Sequence, residues 1–238
     1  NNFIISDRDE EKLAELIKKY DLKTLSDSLA IKKMPKRLDT KKTYKIINDE
    51  NSLKDLFSNL TRSKIFSFDT ETTSIDPISA QLVGVSFSLK DSEAYYIPIS
   101  HDDKGSNIVL YEKSIFDYLR ILFKKKDLTV VGQNIKYDIN VLHKYEIIFD
   151  CKIQDTMLLS YIYNSSGKHD LNNLAKKYLD HDVIKYEDVV GSGVKQKVFS
   201  EIDVKTAMPY ACEDADITFK LYKYFIEKLK PLKDQHDL

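Results

Sequence analysis

Short apolar segments alternate with amphipathic helical segments from about residue 43 onward, and this alternation constrains the fold more than any other feature of the chain. Residues 44–47 and 65–69 have the length and the apolar content of strands. The segment between them places its apolar residues on one face of a helix: Leu53, Leu56, Phe57 and Leu60. Repetition of this pattern predicts an α/β fold.

Antiparallel pairing is predicted next along the chain. Residues 82–89 alternate apolar with small or polar side chains, and residues 95–99 follow a short charged turn. Together these segments have the pattern of an antiparallel meander. A further helix is indicated by an apolar face formed by Ile115, Tyr118, Ile121 and Leu122.

The second half of the chain has fewer strand signals than the first half and more helix signals. Residues 130–132 predict a short buried strand, and residues 134–145 predict the helix after it. Beyond residue 155 the strand signals fade and helices dominate. The last helix is expected over residues 203–229, and because Pro209 lies inside that range, we expect the helix to start or kink there.

The first 42 residues differ from the rest and predict a helical lead-in or linker. Ser6, with Asp9 three positions later, has part of the signal for a helix N-terminus. Apolar residues then recur at helical spacing at Leu13, Leu16, Ile17, Leu22, Leu25 and Leu29.

Composition excludes several classes of protein. The chain has 238 residues, room for one large domain or two small ones, and 42% of them are hydrophobic, enough for a core. Lys and Arg number 37 against 38 for Asp and Glu, so the chain lacks the strong positive charge of many nucleic-acid-binding domains. Its two distant cysteines argue against a disulfide framework or a cysteine zinc site. No apolar run reaches the roughly 18–20 residues of a membrane helix.

Three short elements are the candidates for chemistry. Residues 69–71, Asp-Thr-Glu, end a strand, and residues two apart on a strand share a face. Asn134 and Asp138 lie four apart near the start of a helix, and residues at that spacing share a helix face. Tyr210 and Asp214 have the same spacing on the last helix. Each element alone is compatible with surface carboxylates or helix caps.

Taken together, these elements predict a site for two metal ions. Four carboxylates lie in predominantly apolar elements, where each would be costly without a cation: Asp69, Glu71, Asp138 and Asp214. Hard divalent cations take oxygen ligands, and two of them about 3.5–4 Å apart can activate a water and stabilise a leaving oxygen. Tyr210 is suited to orient that water. The predicted chemistry is phosphodiester hydrolysis, with no Ser/His/Asp arrangement or Gly-rich phosphate loop to compete with it.

At these residues the chain resembles the 3′–5′ proofreading exonuclease domain of family A (polymerase I type) DNA polymerases, in the DEDDy class. The similarity lies in segments that follow the family's order: residues 68–72 (Phe-Asp-Thr-Glu-Thr) with 79–84, 132–138 (Gly-Gln-Asn-Ile-Lys-Tyr-Asp), 155–158, 167–171 and 210–216 (Tyr-Ala-Cys-Glu-Asp-Ala-Asp). The resemblance implies a ribonuclease-H-like (DnaQ-like) exonuclease fold, a mixed sheet flanked by helices. It implies an exonuclease domain over residues 43–230, with residues 231–238 starting the connection to a polymerase domain.

The resemblance also implies roles for the catalytic set. Asp69, Glu71 and Asp214 would bind the more tightly held metal, and Asp138 would help to hold the second through water. Tyr210 would orient the attacking water. The implied cofactors are two Mg²⁺ ions, for which Mn²⁺ is expected to substitute.

A DNA-contacting set is implied as well. Ile75 occupies the place of an apolar wedge against the terminal base, and Tyr186 that of an aromatic contact to the DNA end. Positions near the substrate strand are Thr72, Asn134, Lys168 and His169. Stacking on a side chain contributes about 1–3 kcal/mol per base without reading sequence, which suits proofreading. The expected partners are a single-stranded 3′ end of DNA and a polymerase domain following in the same polypeptide, with no membrane.

Two alternatives stay open. One is an exoribonuclease of the ribonuclease D type, whose core motifs are nearly the same; the segment from residue 168 to 199 favours the polymerase family instead. The other is an inert spacer domain, against which the retained acids and Tyr210 argue. The lysine-rich composition is similar to that of plastid replication polymerases of apicomplexan parasites and predicts the apicoplast; otherwise the cytoplasm or nucleoid is expected.

Other polar and aromatic residues are predicted to be structural. Asp216, two positions from Asp214, is expected on the helix surface, and Asp155 is expected to cap the helix after it. Four tyrosines are interpreted as core or sheet-face residues rather than as a base-stacking platform: Tyr95, Tyr96, Tyr161 and Tyr163.

Overall fold

The computed structural model describes residues 9, 12–13, 15–17, 42–102 and 112–236. The chain forms two compact units, residues 1–40 and residues 41–238. In the first unit, the described residues beyond Asp9 are helical, and the Lys12 amide donates to Asp9 Oδ1 over 3.0 Å. Four predicted positions lie outside the described residues: Ser6, Leu22, Leu25 and Leu29.

The second unit is built on a six-stranded mixed sheet. Its strands are β1 (Thr43–Ile46), β2 (Ile65–Thr72), β3 (Leu82–Lys90), β4 (Glu93–Pro98), β5 (Thr129–Gly132) and β6 (Lys152–Asp155), in the spatial order β1-β4-β3-β2-β5-β6. Strand β3 runs antiparallel to β2 and β4, whereas the pairs β1–β4, β2–β5 and β5–β6 are parallel. The predicted antiparallel meander is therefore confirmed. The carboxyl ends of β2, β5 and β6 lie at one edge of the sheet.

Helices flank this sheet and fill the second half of the chain. They are α1 (Glu50–Arg62), α2 (Glu112–Phe123), α3 (Lys136–His143), α4 (Thr156–Tyr163), α5 (Leu171–Leu174) with the π-helical turn Ala175–Leu179, α6 (Tyr186–Val190) and α7 (Val204–His236), with short 3₁₀ turns at Gly193–Lys195 and Phe199–Glu201. The Asp203 carboxylate accepts from the Lys205 amide and caps α7, so the helix does not start at Pro209 but continues through it. Among the described residues, none of these helices is both long enough and apolar enough to cross a membrane.

The two faces of β2 separate two layers of the molecule. Phe66 and Phe68 face the main core, where they pack with apolar residues of α1, α2 and α3. Ser67 faces the other way and donates to the Ala215 carbonyl of α7 over 2.6 Å. Alternation along the strand then directs the next odd-numbered residues of β2 toward α7 as well.

The apolar face of α2 includes Leu119, which was not predicted, and excludes Ile121, which was. Ile115, Leu119 and Leu122 are buried at the spacing i, i+4 and i+7. Ile121 is 66% exposed, so its assignment to this face was wrong. It follows Leu119 by two positions, about 200° around the helix, and therefore points away from the sheet.

Gly84 is a close-packed position beside the carboxyl end of β2. It pairs with Glu71, whereas Thr72 pairs with Leu82, so the register shifts at this point of the strand. A Cβ atom on Gly84 would lie 2.2 Å from the Tyr96 hydroxyl oxygen and 2.5 Å from its Cζ atom. Tyr96 is fully buried and its hydroxyl contacts His101 Nε2 at 2.7 Å, which leaves the ring no room to move.

We expect Gly84→Ala to lower the free energy of unfolding by about 1–3 kcal/mol, the usual cost of overpacking a core. Urea unfolding followed by circular dichroism measures this change. Ser86→Ala on the same strand is the matched control, because Ser86 Oγ is buried and has no hydrogen-bond partner among the described residues. Its removal should be neutral or stabilising. Equal losses in both variants would show that β3 does not tolerate any change here.

Candidate active site

Three carboxylates from two elements meet at the carboxyl end of β2. Asp69 and Glu71 project from β2 toward α7, which contributes Asp214. One carboxylate oxygen from each residue lies within 4.8 Å of the others. Glu71 is buried, and the other two acids are half-buried. The structure thus brings together three of the four acids that the sequence singled out.

Asp138, the fourth acid, reaches the same region from α3 and is 2% exposed. Its Oδ1 atom accepts from the Thr70 backbone amide at 3.0 Å and from the Thr70 hydroxyl at 2.6 Å. Asp138 is not a member of the close group of three, but its charge raises the pKa of Glu71. It lies beside the group rather than within it.

Burial and nearby acidic charges destabilise the charged forms of the four acids. Burial raises the pKa of Asp69, Glu71 and Asp138 well above the ordinary values, and the charges of neighbouring acids raise them further. Burial raises the pKa of Asp214 to about 7, although a hydrogen bond from Tyr210 lowers it. Glu71 Oε1 is buried and has no hydrogen-bond partner among the described residues. The group therefore has the charge, and an unsatisfied oxygen, that a divalent cation would neutralise.

Tyr210 lies next to the acids on α7 and remains protonated. Burial, followed by the charge of Asp214, raises its pKa far above the ordinary tyrosine value, and its hydroxyl hydrogen-bonds to Asp214. The Tyr210 ring meets the Tyr186 ring edge-on, with 6.1 Å between centroids. Tyr186 itself is 38% exposed, so an aromatic surface begins beside the acids and reaches solvent.

Asn134 does not belong to helix α3, and the prediction that it shares a helix face with Asp138 was wrong. Its φ of 58° is left-handed, a conformation that asparagine tolerates better than most residues. Asp155 holds this turn by accepting from the Asn134 amide at 3.0 Å and the Ile135 amide at 3.1 Å. Asp155 also accepts from the Met157 amide and caps α4, as predicted. The Asn134 side chain is left exposed at the catalytic edge of the sheet.

The loop after β2 presents Ile75 to solvent on a fixed backbone. The Tyr137 hydroxyl lies 2.5 Å from Thr72 Oγ1 and donates to the Ser74 carbonyl. Lys144 Nζ donates to the Ala80 carbonyl at the far end of the loop. Ile75 is 96% exposed between these two anchors. An apolar side chain held in this way has nothing in the described chain to pack against.

Lys168 and His169 occupy different environments, although they are adjacent in sequence. Lys168 is exposed, whereas His169 is buried and stacks on Tyr161 with 3.6 Å between ring centroids. Its backbone carbonyl accepts from Gln133 Nε2 at 2.7 Å and its Nδ1 contacts Ser160 Oγ at 2.7 Å. A DNA contact by His169 stays a prediction. Tyr161 is 48% exposed, so its assignment to the core was wrong, whereas that of Tyr96 was right.

Sequence reasoning missed the residues that hold Asp214 in place. Asp216 is fully buried, so its predicted place on the helix surface was wrong. Its neighbours gave no signal of burial, because polar residues such as Glu213, Thr218 and Lys220 are spread along this part of α7. Ser67 gave no signal, because small polar residues are common in strands.

The chain has the fold of ribonuclease-H-like exonucleases. NrnC of Brucella melitensis superposes with a TM-score of 0.58 at 19% identity, covering 80% of this chain and 82% of that one. A structure of NrnC with bound Mg²⁺ matches with a TM-score of 0.53. The EXO domain of Nibbler from Aedes aegypti gives 0.60 at 14% identity, covering 84% of this chain and 93% of that one. The predicted fold class is confirmed.

Sequence comparison narrows this class to one family. Residues 44–230 match the family model for the 3′–5′ exonuclease of family A DNA polymerases, and the chain belongs to that family. DNA polymerase I of Pseudomonas aeruginosa is 40% identical over 192 residues, which are 79% of this chain and 21% of that protein. DNA polymerase I of Borreliella burgdorferi is 39% identical over 187 residues, 79% and 20% of the two chains. The chain thus spans about a fifth of the length of these relatives.

Proposed function

We propose that this chain is a Mg²⁺-dependent 3′–5′ exonuclease that removes nucleotides from frayed or mismatched DNA primer ends. It would proofread for a family A polymerase domain in the same polypeptide. Residues 1–42 would be a lead-in, residues 43–230 the exonuclease domain, and residues 231–238 the start of the connection to the polymerase. The observation that carries the proposal is the group formed by Asp69, Glu71 and Asp214, in a chain that belongs to this exonuclease family.

The donor set fits a hard divalent cation. It consists of carboxylate oxygens, without histidine or cysteine, and oxygen is the ligand atom that Mg²⁺ and Mn²⁺ prefer. Asp69, Glu71 and Asp214 would hold one ion, and the unpartnered Glu71 Oε1 is the atom that gains most from it. Asp138, with Oδ1 occupied by Thr70, would help to hold a second. When bound, two such ions supply an activated water and stabilise the leaving oxygen.

Tyr210 would orient the attacking water rather than deprotonate it. Its raised pKa keeps the phenol neutral at neutral pH. A neutral hydroxyl can accept a hydrogen bond from water while it donates one to Asp214. Positioning of this kind lowers a barrier because the reacting groups are already aligned.

Ile75 and Tyr186 would contact the DNA end. Ile75 projects from its anchored loop, and Tyr186 continues the aromatic surface that begins at Tyr210. Apolar and aromatic surfaces bind unpaired bases of any sequence. The preference for DNA over RNA rests on the polymerase relatives, and location in the apicoplast stays a prediction from composition.

Degradation of a 5′-labelled oligonucleotide with a mismatched 3′ end tests this function. In Mg²⁺ we expect a ladder of products that shorten from the 3′ end, and in EDTA an intact strand. A DNA strand should be degraded faster than an RNA strand of the same sequence.

Each other outcome has a defined meaning. Faster degradation of RNA would favour the ribonuclease D alternative. Release of the label as a mononucleotide would show the opposite polarity. An intact strand in Mg²⁺, together with no metal binding by calorimetry, would favour the inert spacer domain.

A further inference from the structure

Helix α7 is fixed to the rest of the unit on both sides of Asp214. Glu213, Ala215 and Asp216 each contact a different part of the chain, while Asp214 faces the acid group. Four consecutive residues are therefore committed either to the candidate metal site or to contacts that hold the helix. These contacts extend from the residue before Asp214, a predicted metal ligand, to the second residue after it.

Asp216 is the fully buried anchor among these residues and accepts three hydrogen bonds. Its Oδ2 atom accepts from the Tyr44 hydroxyl at 2.8 Å and from Lys220 Nζ at 2.8 Å. Its Oδ1 atom accepts from the Ser92 backbone amide at 2.7 Å. Lys220 Nζ also donates to Ser92 Oγ over 3.3 Å. A single fully buried carboxylate thus ties α7 to β1 and to the turn between β3 and β4.

Ser67 connects α7 directly to the strand that carries the other two acids. Its hydroxyl donates to the Ala215 carbonyl at 2.6 Å, and both groups are buried. Ser67 precedes Asp69 by two positions, and Ala215 follows Asp214. This hydrogen bond therefore fixes the position of Asp214 along α7 relative to that of Asp69 along β2.

Glu213 adds contacts on the same side of the helix, three positions before Asp216. It accepts from Lys42 Nζ at 2.6 Å, from the Ile184 amide at 2.6 Å and from His181 Nε2 at 3.0 Å. Glu213 and Asp216 lie three positions apart and therefore point about 60° apart on one side of the helix, whereas Asp214 points about 100° away from Glu213. The contacts of Glu213 and Asp216, together with the hydrogen bond from Ser67 to the Ala215 carbonyl, restrain rotation and sliding of α7 and thereby the direction of Asp214.

A metal site needs this constraint more than the fold does. Ligand distances to Mg²⁺ lie near 2.0–2.1 Å, so an error of about 1 Å in one carboxylate removes it from coordination. A buried ion pair, by contrast, adds little net stability over well-packed apolar residues. Three polar anchors beside one ligand are therefore better explained by geometry than by stability.

We propose that Asp216 and Ser67 are positioning residues, which place Asp214 against Asp69 and Glu71 for metal binding without touching the metal themselves. This inference rests on the proposed function, because it concerns the same metal site. Outer contacts of this kind typically change metal affinity by about 10–100-fold.

Calorimetric titration with Mn²⁺ tests the proposal in the 238-residue chain. We expect Asp216→Asn to weaken Mn²⁺ affinity by about 10–100-fold, because an amide cannot accept from all three donors. Ser67→Ala and Tyr44→Phe each remove one hydroxyl and should weaken it less. On the oligonucleotide substrate, kcat at limiting Mg²⁺ should fall while KM for DNA is unchanged, and added Mg²⁺ should restore part of the rate.

Leu221→Ala is the matched control for loss of stability. Leu221 is fully buried on α7, away from the acids, and packs with Phe225 in a separate apolar cluster. This variant should lower the melting temperature and leave Mn²⁺ affinity unchanged. The two single-hydroxyl variants keep the test valid if Asp216→Asn does not fold.

The proposal would be overturned if all three variants bound Mn²⁺ with wild-type affinity while their melting temperatures fell as in Leu221→Ala. It would also be overturned if the wild type did not bind Mn²⁺. The proposed exonuclease function can fail separately. A wild-type chain that binds Mn²⁺ but leaves the 3′ end intact would refute the exonuclease, while the ratio of affinities would still decide the positioning role.

Discussion

Replacing Asp69 and Glu71 together by alanine should lower the rate of 3′-end hydrolysis by about 1,000-fold or more. Both carboxylates belong to the group of three whose oxygens lie within 4.8 Å of one another, so their loss leaves Asp214 alone. Bound metal supplies several kcal/mol of transition-state stabilisation, and each 1.4 kcal/mol corresponds to a factor of ten in rate. Single-turnover degradation of the mismatched 5′-labelled oligonucleotide measures the loss.

A charge-matched control separates chemistry from net charge. Glu50→Ala/Asp117→Ala also removes two acids, but both form exposed surface ion pairs, with Lys54 and Arg120. Such pairs contribute little to stability, and the control should keep wild-type activity. If both double variants lost activity equally, the assignment of the site would be wrong. If the Asp69/Glu71 variant stayed active, the nuclease would be a contaminant or would use other residues.

Local sequence patterns predicted five of the six strands described, all but β6, and the pair of acids on β2, because each depends on neighbours in the chain. Residues 65–69 are apolar enough to be a buried strand whatever lies beside them, and alternation then places Asp69 and Glu71 on one face. The spatial order of the strands in the sheet, by contrast, does not depend on neighbours in the chain. Nothing in residues 43–46 indicates that they pair with β4 rather than β2, because the pairing is decided by contacts fifty residues away.

The turn at Asn134 and the burial of Asp216 could not be predicted from local sequence for the same reason. The turn at Asn134 is left-handed because Asp155, 21 residues later, accepts from its amide and the next one. Asp216 is buried because Tyr44 and Ser92, each more than 120 residues earlier, supply donors to it. A helical wheel of α7 or α3 contains none of these partners. Spacing rules therefore located the acids but not the residues that orient them.

The second large effect expected is on stability in the absence of metal. Burial raises the pKa of the four acids in the folded state, that of Asp214 to about 7, and the charges of neighbouring acids add to this effect. Between roughly pH 4, where such groups titrate in an unfolded chain, and pH 7, the folded state therefore binds more protons than the unfolded state. In EDTA, the free energy of unfolding should fall as pH rises through this window. Mg²⁺ at about 100 times its dissociation constant should add about 2.7 kcal/mol at neutral pH.

Thermal unfolding of the wild type and of Asp69→Ala/Glu71→Ala, in EDTA and in Mg²⁺ from pH 5 to 7.5, measures both effects. The double variant has lost two of the mutually repelling acids, so in EDTA at pH 7.5 it should melt above the wild type and respond little to Mg²⁺. Glu213, whose pKa is lowered to about 2 by hydrogen bonds from His181 and Lys42 that outweigh its burial, loses its stabilising charge only below this window. All other titratable groups are common to both proteins and cancel in the difference. The same pH profile in both proteins would mean that the buried acids do not destabilise the folded state. The same response to Mg²⁺ in both would mean that the metal binds elsewhere.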